Sequence, residues 1–300
     1  MATSWVSAHP GDYAPAVESM LNALSLSPLD DSADHFTAPS QWQPQGRLFG
    51  GQVMAQAAMA AMSTIDDDRP IHSLHGYFLK PGDIDLPVSL KVDRIYDGRS
   101  FSTRRAQALQ NDHPIFSMIA SFQAPDDGLD HFDEAPPNLG DPEDLHPGID
   151  LLLATGHPMA EGWAKTRPFD FRYSHIPKNG KPSPDPSGDQ VVWFRCLSTL
   201  PDDPRLHRAA LGYLSDSTLL EGILTRHRVP WTTPGLRVAS LDHALWFHRF
   251  ARVDQWLAYV QHTPSAQSGR GLALGRIYDQ AGTLIASVAQ EGMVRVPSPE

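Results

Sequence analysis

Three landmarks of this chain recur in the same order at a nearly constant spacing, which restricts it to folds built from two related units. Gly50-Gly51-Gln52-Val53-Met54 opens a helical stretch, Ser73-Leu74-His75 starts a strand, and Ile119-Ala120-Ser121 lies near the end of the first half. Asp216-Ser217-Thr218-Leu219-Leu220, Ser240-Leu241-Asp242 and Ile285-Ala286-Ser287 follow at offsets of 166, 167 and 166 residues. The sequence therefore predicts a duplicated scaffold in which one copy enters its helix on glycine and the other on a carboxylate. It further predicts that Ser73 and Ser240 are equivalent, so that both copies keep a hydroxyl and only one has an acid beside it. A duplicated scaffold with one differentiated copy points to a site built in one half.

The bulk properties narrow the function classes. Three hundred residues with 41% hydrophobic content suffice for two domains of ordinary size. A formal net charge of −11 argues against a nucleic-acid groove or an anionic membrane surface as partner. The single cysteine, Cys196, lies in the apolar run 191–196, so neither a disulfide framework nor a thiolate metal cluster is expected. The first residues lack the pattern of a signal peptide, and no apolar run approaches the roughly 20 residues that span a bilayer. The last five residues, Val296 to Glu300, carry no peroxisomal address, which makes the cytoplasm the expected compartment.

Periodicity predicts an α+β order twice over. A short amphipathic helix is expected over 14–26 and a first strand within 33–38. The helix over 51–62 has apolar or small residues around most of its circumference and should be buried on nearly every side. Strands follow at 71–79, 88–96, 101–110 and 115–123, with Asp97-Gly98 and Asn111-Asp112-His113-Pro114 as turns. Residues 125–187 are rich in proline and read as a connection, with a short helix near Leu151 and the most loop-like stretch at 184–188. The expected domains are thus 1–124 and 188–300. In the second, a strand at 191–197 precedes a helix over 216–227 and strands at 236–249, 266–278 and 283–296.

Asp216 stands just before Leu219, Leu220, Ile223 and Leu224, apolar positions at helical spacing. It reads either as an N-cap, which stabilises a helix by about 1 kcal/mol, or as a carboxylate that holds a water at the positive end of a buried helix. Ser240 and Gln290 lie on strands that could bring them to the same face. No G-x-S-x-G nucleophile elbow is present and Cys196 has no histidine partner in the sequence pattern, which argues against a serine or cysteine acyl-enzyme. His72 with His75, and His243 with His248, have odd spacings on strands, so a shared metal is not expected. Arg104, Arg105, Arg249 and Arg270 are candidate phosphate contacts, and Arg105 and Arg270 are the preferred pair.

Six ordered motifs carry a family resemblance. They are Phe49-Gly50-Gly51-Gln52-Val53; His72 to Gly82; Pro114-Ile115-Phe116 with Ala120 to Pro125; Gly212-Tyr213-Leu214-Ser215-Asp216; Leu241 to His248; and Gln290-Glu291-Gly292. Together they resemble the acyl-CoA thioesterase II family over residues 22–295. The resemblance implies two tandem hotdog domains, each an antiparallel sheet wrapped around a long central helix. It implies hydrolysis of acyl-CoA thioesters to free fatty acid and coenzyme A by an activated water, with no cofactor and no metal. Matched motif by motif, the water-activating Asp, Thr or Ser, and Gln of the family fall on Asp216, Ser240 and Gln290. The helix entrance at Gly50 and Gly51, or its counterpart near Asp216, would supply an oxyanion donor, Met54, Leu219 and Leu220 would line the acyl tunnel, and a homo-oligomer is expected by analogy. A hotdog enoyl-CoA hydratase would offer a histidine shortly after its aspartate, whereas Ser217, Thr218, Leu219, Leu220 and Glu221 follow Asp216 here. A non-catalytic acyl-CoA-binding protein would have no need of the three polar residues together.

Overall fold

The computed structural model describes residues 13–66, 68–137, 139–174 and 187–297. The expectations for 184–186 and for the last three residues lie outside the described residues. In chain order the elements are α1 (Pro15–Leu24), β1 (Ser27–Pro28), β2 (His35–Ala38), α2 (Gly50–Met62), β3 (Ile71–Phe78), β4 (Val88–Asp97), β5 (Phe101–Gln110) and β6 (His113–Gln123). Then come α3 (Gly148–Ala154), α4 (Ala160–Thr166), β7 (Phe169–Tyr173), β8 (Gln190–Cys196), α5 (Pro204–Ser215), α6 (Glu221–Arg226), β9 (Arg237–Ser240), β10 (Asp242–Phe247), β11 (Leu257–Gln267), β12 (Arg270–Asp279) and β13 (Leu284–Arg295).

The strands form one continuous antiparallel sheet in the order β1-β2-β4-β5-β6-β3-β10-β13-β12-β11-β8-β7, with β9 pairing β13. Within each half the strand after the helix sits at the inner margin, and β3 and β10 join there. The order β2-β4-β5-β6-β3 is repeated by β8-β11-β12-β13-β10, so each half is a hotdog unit and the two are sewn edge to edge. Joining removes the two inner edges that would otherwise present unpaired backbone groups. Across the seam Leu245 lies opposite Leu74 and Ala244 opposite His75; both leucines are fully buried.

The central helices α2 and α5 pack against each other, and α2 packs against the sheet of the first half. Every residue of α2 from Gly51 to Met62 is buried, which explains its run of Ala, Met and Gly: small side chains let the helix lie close to β4, β5 and β6. A buried ladder ties it down, in which Gln52 Oε1 accepts from the Gln41 backbone N–H, Gln52 Nε2 donates to Gln56 Oε1, and Gln56 Nε2 donates to the carbonyls of Ala23 and Pro39. Buried amides that pair with one another in this way avoid the desolvation cost of orphaned polar groups.

The second half departs from its expected helix. Asp216 does not begin a helix over 216–227; it is the C-cap of α5, which starts twelve residues earlier. Asp203 caps that helix by accepting the Arg205 N–H at 2.8 Å, with Pro204 in the first turn. An Asp-Pro pair of this kind is a legible start signal. The chain breaks at 216–220 before the short α6. The single strand expected over 236–249 is interrupted at Leu241, the strand expected at 266–278 is β12, and β11 before it is a further strand that the sequence pattern did not mark. In the connection 125–187 the short helix expected near Leu151 is α3, and α4 and β7 are additional elements that its prolines did not suggest.

The duplication is real, but its register is not the one expected. Leu79 and Lys80 both donate to the Ile115 carbonyl, at 2.8 and 3.3 Å, and His248 and Arg249 both donate to that of Ile285, at 2.8 and 3.2 Å. This shared pattern sets Leu79 against His248 and Ile115 against Ile285, at offsets of 169 and 170. Ser73 therefore corresponds to Asp242, and the equivalence of Ser73 with Ser240 does not hold. The sequence offset errs by two residues on one strand and four on the other. Side chains alternate with a period of two, so an even slip keeps every residue on its proper face and leaves no trace in the hydrophobic pattern.

Because Leu74 and Leu245 close the seam together, Leu74→Ala and Leu245→Ala should each cost about 2–5 kcal/mol in urea unfolding. The double variant should lose less than the sum of the two, because both remove one shared contact.

Candidate active site

The central helices run antiparallel, so the end of α5 lies against the head of α2. A Cβ on Gly51 would come within 2.2 Å of the Tyr213 carbonyl oxygen, and one on Gly50 within 2.7 Å of Asp216 Oδ2. Gly50 and Asp216, set against each other as counterparts by the sequence offset, are thus neighbours across the two copies. The glycines are needed for close approach.

Asp216 is half-buried at this junction. Its Oδ1 accepts from Ser240 Oγ at 2.9 Å and from Gln290 Nε2 in a very short contact. The backbone N–H of Gly51 also donates to the carboxylate. Ser240 arrives on β9 and Gln290, fully buried, on β13. The structure therefore brings together Asp216, Ser240, Gln290, Gly50 and Gly51. Gln290 Oε1 is a buried acceptor without a partner among the described residues, which marks a place where a polar atom of a ligand or water would be stabilised.

Two helix ends act on the carboxylate in opposite senses. It sits at the negative end of its own helix and faces the positive end of α2, so the favourable dipole expected for it comes from the other copy. Burial pushes its pKa up to about 6, against the hydrogen bonds from Gln290, Ser240 and Gly51, which pull it down. At neutral pH it is ionised yet basic. Glu221, in the first turn of α6, is likewise pushed up to about 7 by burial, against the opposing effects of Arg167, Tyr173 and Gln190.

The other candidates are placed differently. Met54, Leu219 and Leu220 are buried members of the hydrophobic core, and Leu220 packs so closely on Gly292 that a Cβ there would lie 2.5 Å from its Cδ1. Arg105 pairs with Asp93 at 2.6 Å and Arg270 with Glu291 at 3.0 Å, both as exposed ion pairs on strands. Such pairs contribute little to stability. Cys196 is buried, with its thiol pushed up to about 12 by desolvation, which makes it a poor nucleophile. Among the described residues no three His, Cys, Asp or Glu side chains gather closely enough to hold a metal ion, and no helix is long and apolar enough to cross a membrane.

Three residues around the site have no role in the sequence reading. Ser215, His243 and Tyr259 are buried and hydrogen-bonded directly behind Asp216. Ser215 and His243 lie in the quoted motifs, whereas Tyr259 lies in β11, a strand that the sequence pattern did not mark.

Both halves of the chain are similar to known proteins. A family model described as acyl-CoA thioesterase matches residues 168–293, and one described as the acyl-CoA thioesterase N-terminal domain matches residues 38–123. Acyl-CoA thioesterase 2 of Haemophilus influenzae is 36% identical over 285 residues, covering 93% of this chain and 98% of that protein. Acyl-coenzyme A thioesterase 8 of Homo sapiens is 34% identical over 303 residues, covering 96% and 91%. The crystal structure of the acyl-CoA thioesterase II TesB2 from Mycobacterium marinum superposes with a TM-score of 0.77 at 40% identity, over 93% of this chain and 99% of that one.

The raised pKa has a testable sign. Protonated Asp216 favours the fold, so its contribution is fully present below about pH 4 and is lost as pH rises through about 6. Ionisation in the native state therefore costs up to about 3 kcal/mol at pH 7. Asp216→Asn should gain stability relative to the parent as pH rises from 4 to 8, measured as the difference in Tm between the two proteins at each pH.

Proposed function

The chain belongs to the acyl-CoA thioesterase family, and from that premise we propose how its residues hydrolyse an acyl-CoA thioester to a fatty acid and coenzyme A. The convergence of Ser240 Oγ, Gln290 Nε2 and the Gly51 N–H on one carboxylate is the observation that carries the reading. Asp216 acts as the general base, with Ser240 and Gln290 fixing its orientation. A water bound between Asp216 and Gln290 Oε1 attacks the thioester carbon and gives its proton to the carboxylate.

The carbonyl oxygen becomes an oxyanion as the C–O bond forms. Donors at the head of α2 stabilise it; the Gly51 N–H serves the carboxylate, which leaves the Gly50 N–H as the oxyanion donor. Such a donor contributes on the order of 3 kcal/mol to catalysis. Collapse breaks the C–S bond, and the proton held by Asp216 passes to the departing thiolate. Water and acyl-CoA are thereby converted to carboxylic acid and thiol without a covalent acyl-enzyme.

We read the acyl path as passing Leu219 and Leu220, which follow Asp216 directly, and Met54 on the facing helix. Their close packing requires these side chains to shift when a long chain enters. The domains are read as 1–124 and 188–300, joined by 125–187. A homo-oligomer fits the exposed side chains of Ile119, Tyr77 and Trp246 on the strands around the seam, and sedimentation returning only a 33.0 kDa species would remove that part of the reading.

Release of free thiol from a panel of acyl-CoAs tests the mechanism. Asp216→Ala should lose about 10²- to 10⁴-fold in kcat, whereas Ser240→Thr, which keeps the hydroxyl, should stay within a few-fold of the parent. A variant Asp216→Ala with parental turnover on every chain length would end the assignment. The acidic limb of kcat/KM should have its midpoint near pH 6, where the carboxylate titrates.

A further inference from the structure

The end of α5 is held by more hydrogen bonds than a helix terminus requires. Its last residue, Ser215, is fully buried. The Ser215 hydroxyl donates to the Gly212 carbonyl at 2.8 Å, which leaves its oxygen free to accept. His243 Nε2 lies 2.9 Å from that oxygen. The hydroxyl proton is already committed, so His243 must be the donor and carries its proton on Nε2. Burial holds this imidazole neutral, with its pKa pushed down to about 3, and its Nδ1 is a buried acceptor without a partner among the described residues. From β11, the Tyr259 hydroxyl donates to the Ser215 carbonyl at 3.0 Å. Tyr259 is itself keyed in place, since its ring fills the notch at Gly275, where a Cβ would lie 2.2 Å from it.

Two strands thus grip both the side chain and the backbone of the residue that immediately precedes Asp216. Helix ends ordinarily fray, because their last carbonyls lack intrahelical partners. Here one such carbonyl is satisfied by a tyrosine, and a neutral histidine is buried at the cost of an unpaired nitrogen. An apolar residue at 243 would avoid that cost.

We infer that Ser215, His243 and Tyr259 are positioning residues that lock the C-cap of α5 so that the Asp216 carboxylate stays aimed at the head of α2. The inference rests on the proposed role of Asp216. A small displacement of a catalytic group lowers turnover more than substrate affinity, because the misplaced group is needed only in the transition state.

The test uses Tyr259→Phe, His243→Leu and His243→Gln in the full chain, each checked by circular dichroism and Tm. Tyr259→Phe changes no shape and should lower kcat about tenfold with KM within about twofold. His243→Leu should lose about 10- to 100-fold in kcat, and His243→Gln, whose Nε2 can donate to Ser215 from the same place, should recover most of it.

The pH profile separates positioning from mere folding. A carboxylate that slips toward solvent is less desolvated, so the acidic limb should move below pH 6 in Tyr259→Phe. The titratable groups around Asp216 are Tyr213 on α5, Tyr259 on β11 and His243 on β10, with Glu221 following on α6; no acid lies in the first turn of α2. Glu221→Gln in both backgrounds keeps its own titration out of the comparison.

Folded Tyr259→Phe and His243→Leu variants with parental kcat and an unmoved limb would overturn the inference, as would losses confined to KM. If His243→Leu does not fold, Tyr259→Phe alone decides. An active Asp216→Ala would instead defeat the proposed mechanism itself, so the two failures are distinguishable.

Discussion

The close approach of two helix ends of opposite polarity is the constraint on which the rest of the structure depends. At the head of α2 two successive residues lack a Cβ. That absence lets the Tyr213 carbonyl and the Asp216 carboxylate come within distances that any other residue would forbid. The continuous sheet follows from the same geometry. Antiparallel central helices, each lying on its own half, bring the inner strands β3 and β10 together, and pairing them removes both exposed edges. The site is therefore a product of the duplication as a whole. One copy carries the acid and its two hydrogen-bonding partners, and the other carries the backbone donors and the positive helix end.

The electrostatics of that junction are a balance of opposed effects. Burial alone would push Asp216 further from ionisation; three hydrogen bonds and the head of α2 draw it back. The outcome, near 6, is where a base is most useful at neutral pH, because it is largely deprotonated and still accepts a proton. Ser240 illustrates how economical the arrangement is. A lone serine on a strand would usually bond a neighbouring backbone group, but here the interruption at Leu241 separates β9 from β10 and lets the hydroxyl reach the carboxylate.

Much of this was legible in the sequence, and the failures have physical causes. The alternation of buried residues on β3 to β6 and the all-round apolar surface of α2 revealed the first half almost strand for strand. The repeat and the spacing singled out the carboxylate, with the serine and the glutamine as companions, but only the motif resemblance joined the three in one role, since spacing alone cannot say which strands adjoin. The repeat was misregistered because even slips between strands conserve facing. The helix assignment around Asp216 failed for a different reason: apolar residues at 219, 220, 223 and 224 continue a helical pattern through the break at 216–220. Hydrophobic periodicity records what is buried and is blind to whether the backbone runs on unbroken. The start signal at Asp203-Pro204 was available and outweighed that pattern in the fold.

The break at Asp216 is also why the residues behind it matter. A carboxylate in mid-helix would be held by the helix itself, but its backbone could not turn to present the side chain across a helix junction. A carboxylate at a C-cap can be presented that way, and it inherits the looseness of a helix terminus. The two requirements conflict unless something outside the helix fixes its last turn. Tyr259 and His243, from two strands of the same half, provide such restraint at Ser215, one residue from the acid. The unpaired Nδ1 of His243 is then intelligible: the imidazole is retained for the single bond it donates, and the burial that keeps it neutral also keeps that proton on Nε2.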